Sequence, residues 1–138
     1  MKRTLEQERA RDALEEVKRV KEALGEGDQA QRFVSYVESL PAAILTNGLG
    51  QAAATLLAQG KNDPDDPHLI LFHALEKWLC RGAPQAPYKN ESRLMDAIVN
   101  NDRSAYLQAQ AEALAWLVWM KKFAVAFMKE KGKDGEGH

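Results

Sequence analysis

From Asp102 to Lys131 the chain reads DRSAYLQAQAEALAWLVWMKKFAVAFMKEK, and apolar residues return at three-, four- and seven-residue spacings with no Gly or Pro before Gly132. Tyr106, Leu107, Ala113, Leu114, Leu117, Val118, Ala124, Val125 and Met128 carry that period. The stretch predicts one long helix, about 45 Å at 1.5 Å per residue. Asn101 stands at the N-cap position, Asp102 puts negative charge in the first turn, and Lys129 and Lys131 put positive charge in the last. Trp116, Trp119, Phe123 and Phe127 form a second stripe beside the first. Two readings of that stripe stand: the buried centre of a small bundle, or in part a docking face for a partner. No sustained heptad seam is evident.

The same period runs through the rest of the chain. Residues 2–24 place Ala10, Ala13, Leu14, Val17, Val20 and Leu24 on one side, and Gly25 and Gly27 stop that helix. Arg3, Arg11, Lys18 and Lys21 line one flank of its stripe, either as ordinary partners of nearby carboxylates, such as Glu15 with Arg19, or as a binding flank. Asp28 is placed to cap a second helix carrying Phe33, Val34, Val37 and Leu40, which is expected to end near Pro41. The following stretch, PAAILTNGLGQAAATLLAQG, predicts a helix in which Gly48, Ala52 and Ala53 let a neighbour approach closely. Asp66 and Pro67 read as N-cap and first residue of a helix to Arg81 with Leu71, Phe72, Leu75, Trp78 and Leu79. After a proline-punctuated linker, Asn90 caps a short helix with Leu94, Ile98 and Val99. Alternating strand patterns are absent. The fold expected is all-α, a compact single-domain bundle of about six helices over residues 1–131, with a disordered tail over 132–138 that is low in apolar residues.

Composition narrows the chemistry. Net charge is −1 over 138 residues, which excludes a protein dominated by nonspecific nucleic-acid binding but leaves room for local basic patches. A lone Cys80 and the absence of a signal-peptide pattern point to a reducing, cytoplasmic setting. The uncharged run from Ala113 to Met120 is far short of the roughly 20 residues that span a bilayer. His68, His73 and Cys80 have soft-ligand character but no metal-binding spacing, so no metal or cofactor is expected. Gly48-Leu49-Gly50 lacks the remainder of a dinucleotide fingerprint, and the carboxylates read mostly as surface charge. No enzyme is expected. On residues alone two classes stay open: a protein-binding adaptor and a nucleic-acid accessory subunit.

The string Leu45-Thr46-Asn47-Gly48-Leu49-Gly50-Gln51 with the Ile44 before it, together with the pattern from Tyr106 through Glu112, Ala113 and Trp116 to Lys121-Lys122-Phe123-Ala124, resembles the small helical subunit of the Cmr complex, the type III-B CRISPR effector. That resemblance spans nearly the whole chain. It implies a noncatalytic subunit, present in more than one copy, that stacks in the minor filament beside the guide RNA and helps hold the target RNA, with cleavage left to other subunits. Partners are then other Cmr subunits, further copies of this chain, and guide and target RNA; apart from the resemblance, six capped amphipathic segments without a sustained heptad seam predict that the isolated chain is a monomer or associates weakly. RNA of this kind is held chiefly through its backbone, which calls for Lys and Arg on a rigid surface. Arg11, Lys18, Lys89, Arg93, Arg103, Lys121 and Lys122 are the candidate RNA-binding residues, the last two inside the matched segment.

Overall fold

The computed structural model describes residues 2–130. The predicted tail 132–138 lies outside the described residues, and the helix expected to run to Lys131 ends at Met128, where Lys129 turns to extended backbone as its C-cap. The described residues form six helices and no strand: α1 Leu5–Leu24, α2 Asp28–Asn47, α3 Leu49–Gly60, α4 Pro67–Leu79, α5 Leu94–Asn100 and α6 Arg103–Met128. The all-α bundle with a long C-terminal helix is therefore as expected.

Local signals explain where the helices begin. Thr4 caps α1, its hydroxyl accepting from Gln7 N while the Gln7 amide accepts from Thr4 N, a capping box. Asp66 caps α4 by accepting from His68 N, with Pro67 at the first helical position as the sequence indicates. Other boundaries differ. α2 begins after an N-cap at Gly27, so Asp28 is its first residue and adds charge to the first turn without capping. α6 is capped by Asp102, which accepts from Ala105 N; Asn101 instead closes α5, donating to Ala97 O. The N-terminus of α5 is not capped by Asn90 but by a carboxylate from another helix, with Leu94 N donating to Glu76 at 2.9 Å. α4 stops at Leu79, two residues short of Arg81.

α2 also runs straight through Pro41. A proline inside a helix removes one hydrogen bond and crowds the preceding turn, at about 3 kcal/mol. Val37, Leu40 and Ile44, all buried on the same stripe, offset this at roughly 1.5–3 kcal/mol each. The break falls instead at Gly48, whose φ of 87° closes α2 and opens α3.

α6 is the spine. It packs chiefly on α1 and α2, while α3 and α4 pack on each other and on α2. Its inner side buries Ala109, Ala113, Trp116, Leu117, Met120 and Ala124 against Val17, Phe33, Val37 and Ile44 from the other helices. Its C-terminal end is tied to α2, because Gln31 donates to Met128 O and accepts from Glu130 N.

Candidate functional site

The two segments that carry the family resemblance meet in space. Leu49 N donates to Gln110 Oε1 at 2.9 Å and Gly50 N donates to the Tyr106 hydroxyl at 2.9 Å. Two of the orphan donors at the start of α3 are thus satisfied by side chains of α6, since Gly48 offers no side-chain cap. The approach is close enough to demand glycine: a Cβ on Gly48 would lie 2.9 Å from the Tyr106 hydroxyl. The expected close approach at Gly48 is present, but as a helix junction, not inside a helix. Leu49, Ala52 and Ala53 are buried, whereas Leu45, Thr46, Asn47 and Gln51 face solvent.

A polar network holds α1, α4 and α6 together. Glu112, buried on α6, receives Nε and Nη2 of Arg9 at 2.8 Å each and the Trp78 indole at 3.0 Å. Beside it Asp12 accepts from Trp116 Nε1 at 2.8 Å. Burial of Asp12 pushes its pKa up against the pull of that hydrogen bond, while the Glu112 carboxylate pushes that of Arg9 up. The Arg81 guanidinium lies 3.5 Å over the Trp78 ring, and burial lowers its pKa. Glu16, also buried, joins Arg19 at 2.7 Å and Lys77 of α4 at 3.0 Å. The reading of the carboxylates as surface charge therefore fails for Glu16, Glu112 and, in part, Asp12. The expected Glu15–Arg19 pair is replaced by Arg11–Glu15 and Arg19–Glu16. Period alone missed the network because Trp78 and Trp116 score as core while their indole N–H groups require acceptors.

The soft-ligand trio does not converge among the described residues, where no group of His, Cys, Asp and Glu is arranged to hold a metal. His68 pairs with Asp66 at 2.8 Å and stacks on Tyr36, and His73 pairs with Glu76 at 3.1 Å, so both have the orienting partners that the sequence did not reveal. Burial pushes the Cys80 thiol up to about 11, away from thiolate character. Among the described residues no helix is long and apolar enough to cross a membrane.

All seven candidate RNA-binding residues are exposed. Among the described residues, Arg11 alone of the seven is ion-paired, with Glu15 at 3.3 Å. Lys18 lies on α1; Lys89 precedes α5, Arg93 is its N-cap and Arg103 opens α6, so these three bracket the short helix. Lys121 and Lys122 line one groove together, between α2 and α6 with Pro41 and Leu45, while Arg93 lines a different one with Glu76 and Asp96. The aromatic stripe grades outward, from buried Trp116 through half-buried Trp119 and Phe123 to exposed Phe127.

Compared with known families, the sequence matches that of the CRISPR-associated protein (Cas_Cmr5) over residues 5–127, which takes in every helix but the last residue of α6. The matched span includes both the Gly48 junction and the α6 residues that cap it. The chain belongs to this family, the small subunits of the Cmr complexes of type III-B CRISPR systems.

Proposed function

We propose that this chain is a noncatalytic, cytoplasmic subunit that stacks in the minor filament of the Cmr complex, in more than one copy, and helps hold the duplex of guide and target RNA. Arg11, Lys18, Lys89, Arg93 and Arg103 meet phosphates in this reading. The observation that carries it is the family match over nearly the whole chain, and the state of these cations supports it: Lys18, Lys89, Arg93 and Arg103 are exposed and have no ion-pair partner among the described residues. Contacts to phosphate carry no sequence preference and weaken with salt through counterion release. Each copy needs few of them, because contacts repeated along a filament reinforce one another through effective concentration. A near-neutral monomer that self-associates weakly is compatible with such a role. The network around Glu112 serves it indirectly, fixing α1 against α6 so that the cations sit on a rigid surface.

The test is to reconstitute the Cmr complex with and without this chain and follow dissociation of a labelled target RNA. Omission is expected to speed dissociation for any target that pairs with the guide. Equal dissociation in both preparations contradicts the proposal.

A further inference from the structure

The outward side of α6 has the chemistry of a contact surface. Leu107, Ala111, Leu114, Val118, Lys121 and Val125 are separated by 4, 3, 4, 3 and 4 residues, the alternation of a coiled-coil seam. At 100° per residue they fall within an arc of about 80°, on the side away from the buried Ala113, Met120 and Ala124. The stripe is short and is interrupted by Lys121, so it is not the sustained seam of a coiled coil. Leu107, Val118 and Val125 are exposed, Val118 by 51%. A helix face left to water is ordinarily charged. α6 instead contains a single carboxylate, Glu112, which is buried against Arg9 and Trp78.

This stripe borders a groove of about 740 Å³ between α6 and α2. Leu114, Leu117, Val118 and Val125 line it from α6, Pro41 and Leu45 from α2, and Leu45 is 71% exposed. Lys121 and Lys122 are the only charged residues in its lining, and neither has an ion-pair partner among the described residues.

We infer that this groove receives one amphipathic helix of another protein subunit, with apolar side chains at heptad spacing against Leu114, Val118 and Val125 and carboxylates against Lys121 and Lys122. Charge complementarity selects this occupant. A second copy laid along the stripe brings two more lysines, and the flanking positions Gln108, Gln110 and Ala115 hold no carboxylate to answer them. Residues 131–138 read KGKDGEGH and have no apolar side chain to fill the groove. RNA phosphates suit the lysines but leave the apolar walls without a partner and lose their own hydration there. An acid-flanked apolar helix satisfies both halves of the surface, in the manner of helix-in-groove recognition. The inference does not depend on the RNA contacts proposed above and moves Lys121 and Lys122 from RNA to a subunit interface.

The test places a photo-crosslinking benzoylphenylalanine at Val118, and separately at Leu45, in the assembled Cmr complex. After irradiation the linked species is identified by mass spectrometry. The expected product is a peptide of a different subunit, apolar at three- and four-residue spacing, with Asp or Glu within a turn of the linked residue. A link to RNA, a link to another copy of this chain, or no link from either position overturns the inference. Adding Lys121→Glu and Lys122→Glu is expected to cut the yield at least about tenfold, since reversal converts attraction to repulsion. An undiminished yield contradicts the acidic partner, and a circular-dichroism melt identical to the unsubstituted chain's establishes that the bundle is intact. RNA dissociation, measured separately, reports on the phosphate contacts whatever the crosslink shows.

Discussion

Gly48→Ala tests the junction that joins the two matched segments. At φ 87° and ψ 158° Gly48 occupies a region that is essentially glycine-only, and an L side chain there costs about 1–3 kcal/mol. Its Cβ would also stand 2.9 Å from the Tyr106 hydroxyl, closer than real contacts allow, so that hydroxyl has to move. Moving it strands Gly50 N–H, which is partly buried and donates to it at 2.9 Å, and an orphaned donor costs about 1–3 kcal/mol. The sum is roughly 2–6 kcal/mol, which for a chain of this size lowers Tm by about 7–20 °C. Thermal melts of Gly48→Ala, Tyr106→Phe and the double variant separate the two parts. Phenylalanine removes the clashing oxygen, so adding Gly48→Ala in that background is expected to cost only the backbone strain. The coupling is then about 1–3 kcal/mol, within the range for residues in direct contact. An unchanged Tm for Gly48→Ala, or strictly additive effects, refutes the close crossing.

Three further outcomes follow from the interior. Glu112→Ala leaves Nε and Nη2 of Arg9 and the Trp78 indole without their acceptor, Arg9 keeping only Glu6 on Nη1, and is expected to cost about 3 kcal/mol in chemical denaturation, with Glu112→Gln costing less because its amide oxygen still accepts; equal stability of all three proteins contradicts the network. For Asp12, burial raises the native pKa, so the native chain holds a proton that the unfolded chain has released, and stability falls as pH rises from 3.8, the ordinary value, through the raised one. Asp12→Asn, which keeps an acceptor for Trp116, is expected to flatten that fall, and an identical pH profile contradicts the assignment. Cys80, with its thiol pushed up to about 11, is expected to react with iodoacetamide at neutral pH far more slowly in the native chain than in urea; equal rates contradict its protected state.

Period and capping rules made the helices legible because each helix buries one stripe, and the stripes of α1, α4 and α6 are uninterrupted. They misplaced the α2–α3 boundary because Pro41 is a strong local breaker, while the burial of Val37, Leu40 and Ile44 that overrides it is a tertiary effect. They misassigned Asn90 because the cap of α5 comes from Glu76, 18 residues upstream, and Asn101 because its neighbour Asp102 is the residue that caps α6. Likewise the partners of Trp78 and Trp116 lie 34 and 104 residues away, at separations that no local window reads. For the candidate site, exposure of the seven cations was foreseeable from composition. That Lys121 and Lys122 share an apolar groove was not, since its other wall belongs to α2.

The central claim, that this subunit holds the guide–target duplex through its phosphates, is met most directly by measuring target-RNA affinity against salt for Cmr complexes carrying Lys18→Glu, Lys89→Glu, Arg93→Glu and Arg103→Glu together. The substituted chain is expected to incorporate normally, to weaken binding of every target sequence tested, and to make the slope of log affinity on log salt shallower by about 0.7–0.9 for each phosphate contact removed. A complex that incorporates the substituted chain and binds target RNA with unchanged affinity and unchanged slope contradicts it.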